Sequence, residues 1–213
     1  MSEVPPESPN EIKPAASHHP HAVRASQIVF GILFALVLLN WAAFHFGLLT
    51  VPPNTVPWEA PKLDAHPNFF AHWQLQRLKN DRQLCLTTLN HARGLKYTSL
   101  NDMSEHGDCG FTDVVRATRT PIAFNIEPVT TCSLSAALYW WQRDVQRLAQ
   151  QQLHTTIKRI DQIGTYECRN INGVATGNRS EHATANAIDI EAFETADGRR
   201  ISVKDDWLKP TPE

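Results

Sequence analysis

Three things are scarce in this chain, and each excludes a class of function. Surplus charge is missing. With 20 basic residues against 22 acidic ones and a formal charge of −2, there is no electrostatic footprint for a nucleic-acid partner. Closely spaced cysteine pairs are also missing: Cys85, Cys109, Cys132 and Cys168 lie 24, 23 and 36 positions apart, unlike the CxxC pairs of a structural zinc site. Apolar periodicity is absent from residues 1–26, which are rich in Pro, Ser, His and charge and are read as a disordered tail. The His18, His19, His21 cluster in that tail is expected to be solvated rather than metal-binding.

From Gln27 to Leu49 the chain runs for 23 residues without a formal charge. At ~1.5 Å per residue, such a helix crosses a bilayer core of ~30 Å. A cleaved signal peptide is the competing reading, but Glu3, Glu7 and Glu11 precede the run and no small-x-small cleavage site follows it, which favours an uncleaved anchor. Arg24 lies just before the run and Lys62 is the first basic residue after it, so the tail is expected in the cytoplasm and the remainder outside. The cysteines agree, since all four lie beyond this segment and can form two disulfides in an oxidising compartment. Four cysteines allow three pairings, and the expected one joins sequence neighbours, Cys85 with Cys109 and Cys132 with Cys168. Asn40 and His45 within the apolar run are expected to make interfacial or helix contacts.

Residues 50–69 include five prolines between Pro52 and Pro67 and read as a stiff linker, with Trp58 at the headgroup level. A folded domain follows over 70–213. One or two amphipathic helices are expected over 71–92, ending at Gly94. Short strands are expected at 95–100, 110–115 and 122–126. The clearest helix spans Ser133 to Gln151, capped by Thr130 or Thr131, with Leu134, Ala137, Leu138, Trp141, Val145 and Leu148 as its core stripe and Trp140 beside it. A strand over 153–163 comes next. His91 and His106 are expected to be surface or hydrogen-bonding residues.

The chemistry is concentrated between Arg179 and Phe193, RSEHATANAIDIEAF. Here a polar turn carrying His182 leads into an alternating strand, with Ile188, Ile190 and Ala192 on one face and Ala187, Asp189 and Glu191 on the other. The Asp197-Gly198 pair then signals a hairpin, with residues 200–203 returning antiparallel. These elements make an α+β domain of roughly 140 residues, large enough for its own core.

Ser180, His182, Ala187, Asp189 and Ile190 spell S-x-H-x4-A-x-D-I, which resembles the signature of the metallopeptidase group containing lysostaphin, D-Ala-D-Ala peptidases and the hedgehog domain. Within that group, SEHATANAIDIEAF followed by DGRRISVKDDW resembles the bacterial extensin-like protein C-terminal family, over about Cys85 to Trp207. The resemblance implies a D-Ala-D-Ala peptidase/hedgehog-like fold and zinc bound by His182 and Asp189, with Ser180 in support. It makes Arg169, in Tyr166-Glu167-Cys168-Arg169, a catalytic clamp on substrate charge. It implies a peptidoglycan peptide or envelope protein as partner, and a single-pass bacterial inner-membrane protein with a periplasmic domain. The wider group often has Gly where Ala185 stands, so positive φ is expected there.

The group completes its metal site with a His-x-His element, and this chain has no histidine after His182. Two outcomes are therefore expected. The third ligand lies outside this sequence and the protein is a zinc-dependent peptidase or amidohydrolase of the cell wall, or the scaffold binds wall peptide or another protein without catalysis. In the second case Ser180, His182 and Asp189 form a hydrogen-bonded cluster.

Overall fold

The computed structural model describes residues 20–48, 54–105 and 107–207, with side chains from Ser26 onward in the first span. The expectations for His18, His19, His21 and His106 lie outside what is described. Two units emerge, Met1–Val51 and Pro52–Glu213.

The first unit is helix α1, Pro20–His45. It begins ahead of the apolar run, within the stretch read as a disordered tail. Proline's fixed φ suits the first turn of a helix, and AVRA continues it. Phe30, Phe34 and Trp41 are exposed along its length. The span Ser26–His45 is long and apolar enough to cross a membrane, a property that a signal sequence shares. Asn40 returns its amide to the Leu36 carbonyl at 3.1 Å, so this polar side chain is satisfied within the helix. Gly47, at φ +68, ends the helix.

In the second unit, residues 54–69 correct the linker reading, because they fold onto the domain. Asn54, only 5 % exposed, donates to the carbonyls of Lys62 and His66 and accepts from the Lys62 amide, which closes residues 54–62 into a loop. The following residues are bolted to a long helix, α4 (Cys132–Leu153). Arg143 donates to the Leu63 carbonyl, Tyr139 to the Asp64 carboxylate and Trp140 to the Ala65 carbonyl, at 2.9, 2.6 and 3.0 Å. Leu63 enters the core. The prolines do not prevent this, because it is side chains of Asn54 and α4 that satisfy the segment's backbone.

Two short helices, α2 (Ala71–Asn80) and α3 (Arg82–Asn90), are divided at Asp81. Asp81 is extended and its carboxylate caps the Leu84 amide, so it cannot continue the first helix. Strands β1 (Lys96–Ser99), β2 (Met103–Ser104), β3 (Gly110–Phe111), β4 (Val114–Arg119), β5 (Ala123–Phe124) and β6 (Val129–Thr131) follow. After α4 come β7 (Ile157–Gly164), β8 (Asp189–Thr195), β9 (Arg200–Ser202) and a terminal turn of helix, α5 (Val203–Asp206). The antiparallel sheet β1-β4-β6 packs beside α2–α4, β2 pairs with β3, and the third sheet runs β5-β7-β8-β9. Its β5–β7 pair is parallel and the others antiparallel. A parallel neighbour needs a crossover, and β6 with α4 supplies it.

Helix α4 is the spine. Thr131 caps it as expected, its hydroxyl accepting from the Leu134 amide. Its first half joins Leu78, Cys85, Leu89 and Val115 in one core, and its second half joins Ile122, Ile157 and Ile160 in another. The deepest face differs from the expected stripe. Cys132, Ser135, Ala136, Tyr139, Trp140, Gln142 and Ala149 are buried, whereas Leu148 is 47 % exposed. Polar residues on this face make specific contacts: Ser135 meets Thr130 at 2.7 Å, and the Gln142 side-chain oxygen accepts from the Ile122 amide at 2.8 Å, while its Nε2 is buried without a partner among the described residues. The helix stops at His154, which takes a left-handed conformation, so β7 starts four residues later than the sequence pattern indicated.

The expected disulfide pairing is also corrected. Cys85 joins Cys132, and Cys109 joins Cys168. Cys85 lies on the buried side of α3, facing the first residue of α4, and the two Cα atoms are 6.1 Å apart. Cys109 enters β3 opposite the segment carrying Cys168. Packing of distant elements, not proximity in sequence, sets both bonds.

Candidate functional site

The site is assembled on a backbone hairpin that leaves β7 and returns before β8. The amide of Glu167 donates to the His182 carbonyl, that of Ser180 to the Arg169 carbonyl, and that of Ile171 to the Asn178 carbonyl, all at 3.0–3.1 Å. Asn170 and Arg179 complete the pairing. Arg169 and Ser180 therefore face each other across one rung. The hairpin is tied to the loop before β3 by Cys109–Cys168. The Arg179 guanidinium lies over Gly107, whose left-handed backbone, φ +69, favours glycine.

His182 sits in a short 3-10 turn, Glu181–Thr184, and its own amide donates to the Ser180 hydroxyl that caps the turn. The turn ends at Ala185 with φ +54, the positive φ expected there. Its exit is fixed from α4's N-terminus. The Thr131 amide donates to the Ala185 carbonyl, the Thr131 hydroxyl to the Asn186 side chain, and the Asn186 amide to Glu181, at 2.9, 2.8 and 2.6 Å. Thr131 thus caps a helix and holds the His182 turn with one side chain. Asn186 and Glu181 were not singled out in the sequence; they pair with each other five residues apart, but the Thr131 hydroxyl that ties them to α4 lies 55 positions away from Asn186.

Asp189 opens β8 opposite Gly164 at the end of β7. Alternation along β8 leaves Asp189 and Glu191 exposed and Ala192 buried. This brings the Asp189 carboxylate 3.3 Å from His182 Nε2, with the imidazole 10 % and the carboxylate 53 % exposed. Arg169 turns its guanidinium to Glu167 at 2.6 Å. Tyr166, edge-on to Phe111 with centroids 5.4 Å apart, has its phenol pushed up by burial and by the Glu105 carboxylate. Beside the turn lies an open cleft of about 490 Å³, lined by Lys79, Ser104, Asp108, Phe111, Ser133 and Asn186 among others. Thr184 and Asn186 connect the cleft to the His182 turn, while His182 and Asp189 stand outside its wall.

The donor chemistry can be compared with zinc. Two ligands at ~2.0–2.1 Å from one tetrahedral ion stand ~3.3 Å apart, the separation of His182 Nε2 and Asp189 Oδ1. A direct hydrogen bond from imidazole to carboxylate fits the same distance. Among the described residues, no group of three His, Cys, Asp or Glu side chains converges, and a catalytic zinc site normally has three protein ligands. The pair by itself offers two donors, fewer than such a site normally has.

The family model for the extensin-like protein C-terminus matches residues 83–213. The chain belongs to this family. The extensin-like match spans both disulfides, the spine helix and the whole His182–Asp189 hairpin. No curated protein and no solved structure matches the chain.

Proposed function

We infer that this is a single-pass protein of the bacterial inner membrane, held by α1, whose periplasmic extensin-like domain engages peptidoglycan peptide at the His182–Asp189 site. The observation that carries the reading is that pair: a nearly buried imidazole, oriented by a capped turn, facing a solvent-exposed carboxylate at 3.3 Å beside an open cleft. His182 and Asp189 are the residues that would hold zinc. The metal would lower the pKa of a bound water toward ~7 and so supply a nucleophile for amide hydrolysis. Ser180 and Asn186 set the turn that aims the imidazole. Arg169 shares a rung with Ser180 and is the candidate to meet substrate charge, on release from Glu167.

A second reading is a wall-peptide or envelope-protein binding domain without hydrolysis. It is favoured by the two-ligand set and by the engagement of Arg169 with Glu167. Metal analysis of the full chain, purified in detergent without chelator or histidine tag, separates the two. One zinc per chain, lost in His182→Ala and accompanied by peptidoglycan cleavage, is the outcome expected of the hydrolase. Metal-free protein of unchanged stability that still sediments with peptidoglycan is the outcome expected of the binding domain.

A further inference from the structure

The folded domain carries an aromatic surface at the end where the chain enters it. Phe69, Trp58 and Trp73 are 80 %, 71 % and 49 % exposed. Phe69, Phe70 and Trp73 form a ring cluster with centroids 5.4–5.8 Å apart. Pro57, Trp58, Phe70 and Trp73 line a shallow hollow of about 510 Å³, in which Arg77 is the one charged residue among those described; the acid Glu59 stands exposed next to Trp58.

These rings are held outward. Trp58 belongs to the loop that Asn54 closes, and Gln74, buried next to Trp73, donates to the Val56 carbonyl at 2.9 Å, fastening that loop to α2. The polar lock keeps Trp58 from folding inward. Exposed aromatic clusters of this kind mark a surface that meets something apolar, and Trp in particular favours the boundary between water and lipid.

The length of chain identifies the occupant. Leu48 and Asn54 are six residues apart, a reach of at most ~20 Å when fully extended. If α1 spans a bilayer, this tether keeps the Asn54 loop within reach of the headgroups. We propose that the Trp58–Phe69–Trp73 face docks the folded domain onto the headgroup layer of the membrane that α1 crosses. The proposal rests on the anchor reading above and adds a fixed surface to it.

The full chain, reconstituted in phosphatidylcholine vesicles, tests this by tryptophan quenching. Bromine on the acyl chains reports Trp41 in α1, and a nitroxide on the headgroup reports the boundary. The expected result is acyl-chain quenching that disappears in Trp41→Phe, together with headgroup quenching that is largely lost in the double variant Trp58→Phe, Trp73→Phe and unchanged in Trp207→Phe. Headgroup quenching that survives the double variant while Trp41 remains quenched overturns the docking and leaves the anchor standing. Absence of Trp41 quenching overturns the anchor, and the docking with it. Near-UV circular dichroism of the double variant, expected to keep the wild-type signature of the buried aromatic residues, shows that the fold is intact.

Discussion

The two disulfides of the domain sit in contrasting surroundings. Cys85–Cys132 lies inside the helical core, its residues 0 % and 1 % exposed and packed among Leu78, Leu89 and Tyr139. Cys109–Cys168 ties two loops together, and Cys168 is exposed. Around the first, burial of apolar side chains already specifies the structure. Around the second, the hairpin of residues 167–182 contributes no residue to either hydrophobic core, so the position of His182 rests on backbone rungs, one covalent bond and the Thr131–Asn186 link. The domain thus separates what makes it stable from what shapes its site.

Loop entropy alone would make the two bonds nearly equal. Their closed segments of 47 and 59 residues differ by only ~0.2 kcal/mol in that account. The largest effect is expected from Cys85→Ala with Cys132→Ala, which should lower unfolding free energy by about 2–4 kcal/mol, read by denaturant titration, while leaving the hairpin's protease resistance unchanged under native conditions. Cys109→Ser with Cys168→Ser should cost less globally, yet expose residues 171–178 to rapid cleavage in limited proteolysis mapped by mass spectrometry. Equal losses of stability, with no new cleavage, would break the comparison.

A smaller effect is expected at the junction of α4 with the entry segment. Tyr139→Phe removes the hydroxyl that donates to Asp64 and to the Arg93 carbonyl, a charged hydrogen bond worth about 1.5–3 kcal/mol, measured by denaturant titration. The wild-type phenol is pushed up to about 12 by burial and then by the Asp64 carboxylate. A tyrosine with a raised folded pKa stabilises fully below the ordinary value of ~10 and loses that contribution as pH rises through the folded value. Alkaline melting curves should therefore fall between roughly pH 10 and 12, and more shallowly in Tyr139→Phe.

The smallest effect is expected at the site itself. Ala185→Gly relieves a left-handed backbone, worth about 1 kcal/mol, but deletes a fully buried methyl worth about 0.8 kcal/mol. Stability should change by less than ~1 kcal/mol, with amide exchange across Glu181–Asn186 as the sensitive readout. A larger loss would mean that this methyl packs the turn in place.

How much of this was legible follows from the range of the interactions. Local chemistry could be read: the Thr131 cap, the Asp197-Gly198 turn with β9 behind it, and the exposed placement of Asp189 all depend on residues a few positions apart. The positive φ at Ala185 was accessible only through resemblance to a group with glycine there. Long-range partners could not be read. The Asn54 lock depends on carbonyls at Lys62 and His66, the buried face of α4 on Asp64, Ala65 and Ile122, and the disulfide pairing on how α3 meets α4. Of the site, the His182–Asp189 approach was legible as a motif, while the rung that seats Arg169 beside Ser180 and the turn's attachment through Asn186 were not. No spacing rule encodes a contact across a sheet that irregular loops assemble.

The disulfide connections interleave: Cys85 reaches past Cys109, and Cys109 reaches past Cys132. A chain made N-terminus first presents Cys85 and Cys109 to oxidant before Cys132 has emerged, so the earliest bridge it can close is a wrong one. Native pairing needs Cys109 to wait for Cys168, 59 residues later, or needs an early bridge to be reopened by thiolate exchange. A disulfide-shuffling catalyst is therefore expected to raise the natively paired fraction more than a stronger oxidant does, read by peptide mapping without reduction.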